Sequence, residues 1–389
     1  MATAETLAPV TTEEPVTSVG LFDLTRQRDR LGARIEARID DVLRHGQFIL
    51  GPEVVELEEK LAAFAEAHHA IGVSSGRDAL TMALMALGVQ PGDAVFVPGF
   101  TFSASAAAVA PLGAVPVFVD VDEDTFNMDP DALKAAIAAV KAEGRLNAKV
   151  VMPVDLYGLP ADYDRISAIA AENGMRVLAD AAQSFGAIMG NRRVGTLAPI
   201  TATSFYPTKP LGCYGDGGAI LTEDEALSEE IKMIRTHGRQ GSGDEAMRIG
   251  MTARLDTIQA AVLLIKLEAF AAELDRREQM AALYTELLAG DFATPVVPAG
   301  MRSAWALYTI RVPNRDQVRE RLAEMGVGTG LFYRVPLHKH PAFKQWAPDG
   351  LSLPVSERLA DEVLSLPIHG DIEGREVRFV VDCLRKAVG

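Results

Sequence analysis

The feature that most limits the possible folds is an alternation of apolar, strand-like runs and helical segments through the middle of the chain. The runs AVFVPGF, VPVFVDV, KVVMPV and MRVLADAA are rich in β-branched residues, and helical segments lie between them. Such runs predict parallel strands that are joined by crossover helices, so that helices cover both faces of one sheet. We therefore expect an α/β fold with a mostly parallel sheet, in which ligands bind beyond the carboxyl ends of the strands.

The length of the chain indicates more than one domain. At 389 residues it exceeds what one compact core usually holds. After the long apolar segment RIGMTARLDTIQAAVLLIKLEAF, the pattern changes to amphipathic helices and short strands. We predict a mobile N-terminal tail over residues 1–19, a large domain over residues 20–265 and a smaller α+β domain over residues 266–389.

Composition excludes several classes of protein. The chain carries 53 acidic and 38 basic side chains, a formal net charge of −15, which argues against a nucleic-acid partner. The two cysteines form no disulfide framework or clustered metal-ligand spacing, so we expect no metal site, and this cysteine usage fits a reducing cytoplasm. Because no window supplies the roughly 18 charge-free apolar residues of a membrane helix, we expect no membrane partner.

One lysine stands out in the segment SFYPTKPLGCYGDGGAI, residues 204–220, where it is surrounded by small residues, prolines and glycines. Lys209 fits a reactive amine held at a tight turn, and we predict that it is a Schiff-base lysine. Most loop lysines are solvated surface charges, so this prediction depends on the neighbours. Pyridoxal phosphate chemistry needs such an amine together with a phosphate cradle, a carboxylate for the pyridine nitrogen and a ring contact.

Each of these partners has a candidate in the sequence. The candidates are Asp180 for the pyridine nitrogen, Phe102 and Gln183 for the ring, and Ser75, Gly76, Arg77 and Ser204 for the phosphate. The turn around Gly76 precedes a helix that is predicted to begin at Asp78, whose first amides form an anion site. Asp180 also fits a helix cap and Phe102 a core residue, so only the combination of all these residues favours a cofactor site.

The sequence resembles the DegT-type sugar aminotransferases, fold-type I pyridoxal phosphate enzymes that act on keto groups of nucleotide-linked sugars. The matching segments include HGQFILGPEV, SSGRDALTMALMALGVQPGDAVFVPGFTFSASA, ADAAQSFGA, SFYPTKPLGCYGDGGAI, ARLDTIQAAVLLIKLE and VLSLPIHG. The resemblance implies that Lys209 bonds to the cofactor and Asp180 to its pyridine nitrogen. It also implies that Gln183 contacts the ring and Ser204 the phosphate. The similarity is greatest to enzymes that make 3-amino-glucuronic acid on a UDP carrier, which implies a UDP-linked 3-keto uronic acid as acceptor and glutamate as donor.

Several positions depart from the family pattern. Arg77 stands where threonine is common, and Thr252 where an asparagine commonly reaches the phosphate in the other subunit. Phe332 stands where the family has a histidine, and Asp155 where it usually has histidine or a small polar residue. Candidates for contacting the substrate or its anionic groups are Arg254, Arg239, His237, Tyr333 and Arg334. The cations in this set also fit surface ion pairs, so the acceptor is less constrained than the cofactor chemistry.

The resemblance further implies a cytoplasmic homodimer whose active sites are shared, with residues 248–256 acting across the interface. Three alternatives stay open. A sugar dehydratase of the same family would carry histidine in place of Lys209. A non-catalytic pyridoxal phosphate-binding regulator would usually carry a basic helix-turn-helix region, which is not found before Asp23. The third alternative is the same chemistry on a 4-keto-6-deoxy hexose nucleotide or on an unactivated keto sugar.

Overall fold

A computed structural model describes residues 15–241 and 243–389. Within them, the α-helices are α1 (Thr25–His45), α2 (Pro52–Ala65), α3 (Gly76–Ala86), α4 (Ala104–Ala107), α5 (Pro130–Glu143), α6 (Tyr163–Glu172), α7 (Glu225–Arg235), α8 (Thr257–Leu288), α9 (Arg315–Glu324), α10 (Pro354–Glu362) and α11 (Gly374–Val388). The strands are β1 (His69–Val73), β2 (Asp93–Pro98), β3 (Val115–Val119), β4 (Asn147–Val151), β5 (Arg176–Asp180), β6 (Ile188–Met189), β7 (Arg192–Arg193), β8 (Ile200–Ser204), β9 (Gly218–Thr222), β10 (Met301–Arg302), β11 (Tyr308–Arg311) and β12 (Val363–Leu366). Short 3-10 segments span Ala110–Leu112, Leu156–Gly158, Leu337–Lys339 and Pro341–Trp346.

The central sheet has seven strands in the order β1-β9-β8-β5-β4-β2-β3. Neighbouring strands from β3 to β8 are parallel, whereas β9 is antiparallel to both β1 and β8. Alternate residues of β2 enter two different cores, Phe96 in one and Val95 and Val97 in the other. Burial on both faces explains why this strand is an uninterrupted apolar run. The predicted α/β fold with a mostly parallel sheet is confirmed.

The carboxyl edge of the sheet gathers several segments that are distant in sequence. Asp180 ends β5 and Ser204 ends β8. Because β1 and β8 are both antiparallel to β9, they run in the same direction, and the start of α3 at Gly76 lies beyond the same edge. The short helix α4 follows β2, so it also begins at this edge. The fold therefore concentrates the predicted site residues at one edge of the sheet.

A second core lies towards the C-terminus. It joins the antiparallel pair β11–β12 to α9, α11 and the end of α8, with Tyr284, Tyr308 and Val380 fully buried. Helix α8 runs without interruption through the predicted domain boundary at residues 265–266, so the boundary lies within one helix and the division itself stays a prediction. Residues 1–14 of the predicted tail lie outside the described residues. Val19, by contrast, pairs with Val327 and is buried in this core, so the predicted mobile tail is wrong at its C-terminal end.

The described part of the chain lacks two features. None of its helices combines the length and the apolar character that a membrane span requires. Residues 15–241 and 243–389 also contain no group of three or more His, Cys, Asp or Glu side chains arranged to hold a metal ion. Cys213 and Cys383 are both buried and unpaired.

Candidate active site

A cavity of about 320 Å³, here named the Lys209 cavity, opens at the carboxyl edge of the sheet. The predicted site residues that line it are Ser75, Gly76, Arg77, Phe102, Asp180, Gln183, Ser204, Lys209 and Tyr333. These residues come from segments that are far apart in the sequence. Their convergence on one cavity supports the predicted combination of amine, carboxylate, ring contact and phosphate cradle.

Lys209 lies in a tight turn between β8 and β9. Its backbone N–H donates to the carbonyl of Tyr206 at 2.8 Å. The side chain lines the cavity and is largely enclosed by protein, which disfavours the charged form. Burial accordingly lowers the pKa of Lys209 to about 8, although the negative charge of Asp180 opposes the shift. Near neutral pH more of this amine is therefore in the uncharged, nucleophilic form than in a solvated lysine.

Asp180 is a buried carboxylate with a defined orientation. Its Oδ2 accepts a hydrogen bond of 2.8 Å from the Ser105 hydroxyl, and its Oδ1 accepts one of 3.2 Å from the backbone N–H of Ala182. Burial raises the pKa of Asp180, and these hydrogen bonds and the charge of Lys209 oppose the rise. Lys209 acts on Asp180 through space and not through a hydrogen bond, which leaves room between amine and carboxylate. No sequence pattern pointed to Ser105, because α4 meets β5 only in the folded chain.

Gln183 has its side-chain amide fixed by two contacts. Its Oε1 accepts a hydrogen bond of 2.8 Å from the backbone N–H of Tyr157, and its Nε2 donates to the Tyr333 hydroxyl at 3.3 Å. The amide oxygen is therefore engaged with the backbone, and the amide N–H groups face the cavity side. Gln183 is placed to act on a ligand as a hydrogen-bond donor.

The start of α3 forms a cradle with the end of β8. The helix begins at Gly76 and not at Asp78 as the sequence predicted, because the Ser75 hydroxyl caps it by accepting from the Asp78 N–H at 3.1 Å. The first N–H groups of a helix have no acceptor within it and are free to bind an anion. A Cβ on Gly76 would lie 2.6 Å from the Cβ of Ser204. Glycine is thus required for Ser204 to approach the helix N-terminus.

Arg77 lines the cavity from the first turn of α3. Its guanidinium is exposed and donates to the carbonyl of Ala107 at 3.3 Å, near the end of α4. This contact joins the helix of the phosphate cradle to the helix that carries Ser105. One donor of the guanidinium is used in this way, and the others remain available to an anion.

Aromatic side chains form the rim of the cavity. Phe102 is 54% exposed, so the core interpretation of this residue is wrong. Its ring centroid lies 5.8 Å from that of Tyr333, and the two rings are tilted by 32°. Burial raises the pKa of Tyr333 well above its usual range, so its hydroxyl stays protonated. An exposed ring beside buried polar groups is suited to contact the face of an aromatic ligand.

A second cavity of about 540 Å³, here named the Arg254 cavity, lies beside the first. Thr252 and Arg254 line it, and it shares Ser75 and Asp216 with the Lys209 cavity. Within one chain, these two predicted residues therefore lie outside the cavity that contains Lys209. The sequence prediction missed Asp216, whose signal was its position in the glycine-rich end of the lysine segment.

The remaining candidates lie apart from the Lys209 cavity. A ring nitrogen of His237 lies 3.2 Å from the Thr252 hydroxyl. Arg239 approaches Asp244 at 4.0 Å on the surface. Arg334 approaches Asp316 at 3.9 Å and lines a separate surface groove, although its neighbour Tyr333 lines the cavity. Consecutive side chains leave the backbone in different directions, so adjacency in sequence did not bring this arginine to the site. The surface ion pair is the interpretation that fits Arg239 and Arg334.

The chain resembles known proteins over most of its length. The model of the DegT/DnrJ/EryC1/StrS aminotransferase family matches residues 29–385. The chain is 45% identical over 367 residues to a UDP-2-acetamido-2-deoxy-3-oxo-D-glucuronate aminotransferase of Pseudomonas aeruginosa, which covers 94% of this chain and 99% of that protein.

Two solved structures share the fold. One is a DegT DnrJ EryC1 StrS aminotransferase from Brucella abortus, with a TM-score of 0.92 and 46% identity, covering 95% of this chain and 100% of that one. The other is NtdA from Bacillus subtilis with bound cofactor PMP, with a TM-score of 0.88 and 28% identity, covering 97% of this chain and 87% of that one. The second structure shows that a protein of this fold holds a pyridoxal phosphate-type cofactor.

Proposed function

The chain belongs to the DegT/DnrJ/EryC1/StrS aminotransferase family, and from this premise we propose that it moves an amino group from an amino acid to the keto group of a nucleotide-linked sugar. The observation that carries the proposal is that Lys209 and Asp180 face one cavity without bonding to each other. An amine and a carboxylate held apart in this way suit the two ends of a planar cofactor. The cofactor of this family is pyridoxal phosphate.

The residues of the Lys209 cavity fit pyridoxal phosphate. Lys209 would provide the amine for its aldehyde carbon, and Asp180 would provide the carboxylate for its ring nitrogen. Gly76 lets Ser204 approach the start of α3, so a hydroxyl and backbone N–H groups are available to the phosphate. The exposed ring of Phe102 and the outward N–H groups of Gln183 would contact the ring, and the free donors of Arg77 would add to the phosphate site. These donors match the charges of the cofactor.

The chemistry divides between cofactor and protein. When bound, pyridoxal phosphate supplies an electron sink for the negative charge that develops at the reacting carbon. Lys209 would accept a proton at Nζ from the α-carbon of the donor and pass it to the cofactor, since an amine with a pKa of about 8 exists in both forms near neutral pH. Asp180 would keep the ring nitrogen protonated, because a buried carboxylate favours a cation beside it.

We propose a UDP-linked 3-keto uronic acid as acceptor and glutamate as donor. The support for the acceptor is the 45% identity with the P. aeruginosa enzyme, whose name specifies a UDP-linked 3-oxo-glucuronate. A substrate with a diphosphate and a sugar carboxylate needs cations, and Arg77 and Arg254 are the candidates nearest the site. A nucleotide-linked substrate also supports a cytoplasmic site of action, in the synthesis of amino sugars for a surface polysaccharide such as lipopolysaccharide.

We also propose a homodimer in which residues 248–256 complete the cofactor site of the other subunit. Large apolar side chains are exposed on the segments next to the Arg254 cavity, with Ile49 at 48%, Met247 at 63% and Ile249 at 82%. Burial of such side chains favours association. The wall of Ser75 and Asp216 separates Arg254 from Lys209 in one chain, which also supports a role for Arg254 across an interface.

The acceptor is tested by absorbance. The protein is first converted with glutamate to its amine-bearing form and is then offered a panel of keto sugars. We expect the UDP-linked 3-keto uronic acid to restore the original absorbance, and the 4-keto-6-deoxy hexose nucleotides and unactivated keto sugars to react slowly. Restoration by a 4-keto-6-deoxy hexose nucleotide alone would favour the alternative acceptor. Failure of every keto sugar and every amino acid would contradict the proposed function.

The shared site is tested by mixing two inactive variants, Lys209→Ala and Arg254→Ala. In a mixed dimer, the subunit with intact Lys209 receives Arg254 from the other subunit. We therefore expect activity to return on mixing, and light scattering to report a dimer. Mixed dimers without activity would mean that Arg254 acts within its own chain, and an active monomer would contradict the shared site.

A further inference from the structure

A second buried carboxyl group lies behind Asp180. Asp155 has no exposed surface, and it follows β4 at the carboxyl edge of the sheet. Its Oδ1 accepts hydrogen bonds from the N–H of Ala161 at 2.9 Å and the hydroxyl of Tyr163 at 2.8 Å. Its Oδ2 accepts one from the hydroxyl of Ser184 at 2.6 Å. The carboxyl group thus has three donors around it.

These contacts connect Asp155 to the turn that carries the cofactor residues. Its backbone N–H donates to the carbonyl of Asp180 at 3.0 Å. The N–H of Tyr157 holds the side-chain oxygen of Gln183, and Ser184 follows Gln183 directly. The segment 155–157 therefore binds the turn 180–184 at three points. A shift of this segment would move both the carboxylate and the amide that face the cofactor.

The buried carboxylates of the described residues fall into those that form ion pairs and those that do not, and Asp155 belongs to the second group with Asp93 and Asp180. Glu273 and Glu376 pair with Arg30 and Arg26 at 2.5 and 2.6 Å. In the described part of the chain, no lysine, arginine or histidine forms an ion pair with Asp155. The titratable groups that act on it are Tyr163 from α6 and Asp180 from β5. An unpaired buried carboxylate is costly. Asp155 differs from Asp93 in being bonded to the turn that carries Asp180 and Gln183.

Hydrogen bonds from Ala161, Tyr163 and Ser184 favour the ionised form of Asp155, since a carboxylate can accept from all three. An amide would direct an N–H group at one side of the site, so a hydroxyl there would have to change from donor to acceptor. Burial, together with the charge of Asp180, nevertheless raises the pKa of Asp155 to about 7. The carboxyl group therefore gains its charge near neutral pH and is fully ionised above it.

We propose that Asp155 is a positioning residue, which holds Asp180 and Gln183 at the cofactor and places a second negative charge behind Asp180 that keeps the cofactor ring nitrogen protonated. The inference rests on the proposed function, because it assigns Asp180 to that nitrogen. A second negative charge within the low dielectric of the core stabilises a cation more strongly than Asp180 does alone. Asp155 itself does not touch the cofactor.

The test uses pyridoxamine phosphate as the probe, because this form is not attached to Lys209 and its absorbance reports the protonation of the ring. The bound probe is titrated across neutral pH in the wild-type protein and in Asp155→Asn, and its dissociation constant is measured at each pH. We expect the ring to lose its proton at a lower pH in Asp155→Asn than in the wild type, because the variant lacks the negative charge that stabilises the ring cation. We also expect roughly 10- to 100-fold weaker binding, as for residues that orient the ligands of a bound group.

A matched control separates this effect from the general loss of a buried charge. Asp93 is 3% exposed and lies at the opposite end of the sheet, at the start of β2. It accepts hydrogen bonds from Asn147 at 2.8 Å and from the N–H of Gln90 at 3.0 Å. Asp93→Asn makes the same chemical change, and we expect the ring transition to stay at the wild-type pH. If Asp155→Asn retains both the transition and the affinity of the wild type, the proposal is overturned.

Two further variants keep the charge and remove one donor each. Tyr163→Phe and Ser184→Ala leave the Asp155 carboxylate with fewer hydrogen bonds. We therefore expect Asp155 to ionise at higher pH and the ring transition to move to lower pH, in the same direction as in Asp155→Asn but by less. If Asp155→Asn does not fold, these two variants test the proposal. It is overturned if both show the ring transition at the same pH as the wild type. Binding of the probe needs no sugar. Failure of the acceptor panel would therefore leave this test intact, whereas a wild type that binds no probe would contradict the proposed function.

Discussion

A comparison of Lys209, which lines a cavity, with Lys266, which is buried in the core, shows what distinguishes a reactive amine from a structural one. Burial lowers the pKa of both Lys209 and Lys266 to about 8. Lys209 faces a cavity that also contains Asp180, whereas Lys266 is 3% exposed and lies with its Nζ 4.4 Å from the ring centroid of Tyr214. Because both have a lowered pKa, the pKa alone does not identify the functional lysine. What identifies it is access to a cavity that a carboxylate also lines.

Substitutions of Lys209 and Lys266 should differ most in their effect on amino transfer. Lys209→Ala removes the only amine that we assign to proton transfer, so we expect a loss of roughly 10²–10⁴-fold in amino transfer. We also expect no covalent attachment of pyridoxal phosphate, measured by borohydride reduction and mass spectrometry of the peptides. Lys266→Met should retain attachment at Lys209. Label on Lys266, or attachment that survives in Lys209→Ala, would break the comparison.

The next largest effect should be on stability, and we expect Lys266→Met to be more stable than the wild-type protein near neutral pH. The pKa of Lys266 is about 8 in the folded chain and about 10.4 in an unfolded one, so folding disfavours the protonated form. This cost is fully present below about pH 8 and disappears as the pH rises towards about 10.4. We expect Lys266→Met to raise the free energy of unfolding near neutral pH by about 1–3 kcal/mol, with little gain near pH 10.

Urea unfolding of the cofactor-free protein at the two pH values measures this difference. Lys209→Met serves as the comparison, since the same argument predicts a gain of the same sign for a lysine that lines a cavity. A destabilised Lys266→Met protein near neutral pH would mean that the contact with Tyr214 outweighs the cost of burial.

The smallest effect concerns the aromatic ring over Lys266. Tyr214→Leu removes the cation–π contact, and we expect a loss of about 0.5–2 kcal/mol in the free energy of unfolding. Tyr214→Phe keeps the ring and is the matched control, which should stay near wild type. Amino transfer should change little in either variant, because the backbone of Tyr214 is held by its N–H donating to Gln259 at 2.9 Å. Equal losses of stability in both variants would assign the effect to the hydroxyl.

Much of the fold was predictable because it depends on local pattern. The apolar runs correctly indicated the parallel strands, and helices lie between them as expected, with α5 between β3 and β4 and α6 between β4 and β5. The antiparallel β9 was not predicted, since the direction of a strand depends on its neighbours. The sequence also placed the start of α3 two residues late, because the cap formed by Ser75 competes with Asp78 for that position.

The residues of the candidate site also fall into two groups, those that local sequence patterns predicted and those that only the folded structure revealed. Lys209, Asp180 and Gly76 were identified from residue types at the ends of strands and the starts of helices, which are local features. Ser105, Asp216 and the part that we propose for Asp155 were not, because each depends on segments that meet only after folding. Arg334 shows the opposite error, since proximity to Tyr333 in sequence did not carry it into the cavity.

The sequence alone determined the class of sheet, the reactive lysine segment and the residue types that pyridoxal phosphate requires. These follow from composition and spacing over short stretches, which constrain the backbone locally. The tertiary structure decided which buried lysine faces a carboxylate, which arginines lie near the site, and that Asp155 lies behind Asp180. Such decisions depend on packing between distant segments, because the pKa of a buried group and its access to a cavity are properties of everything around it.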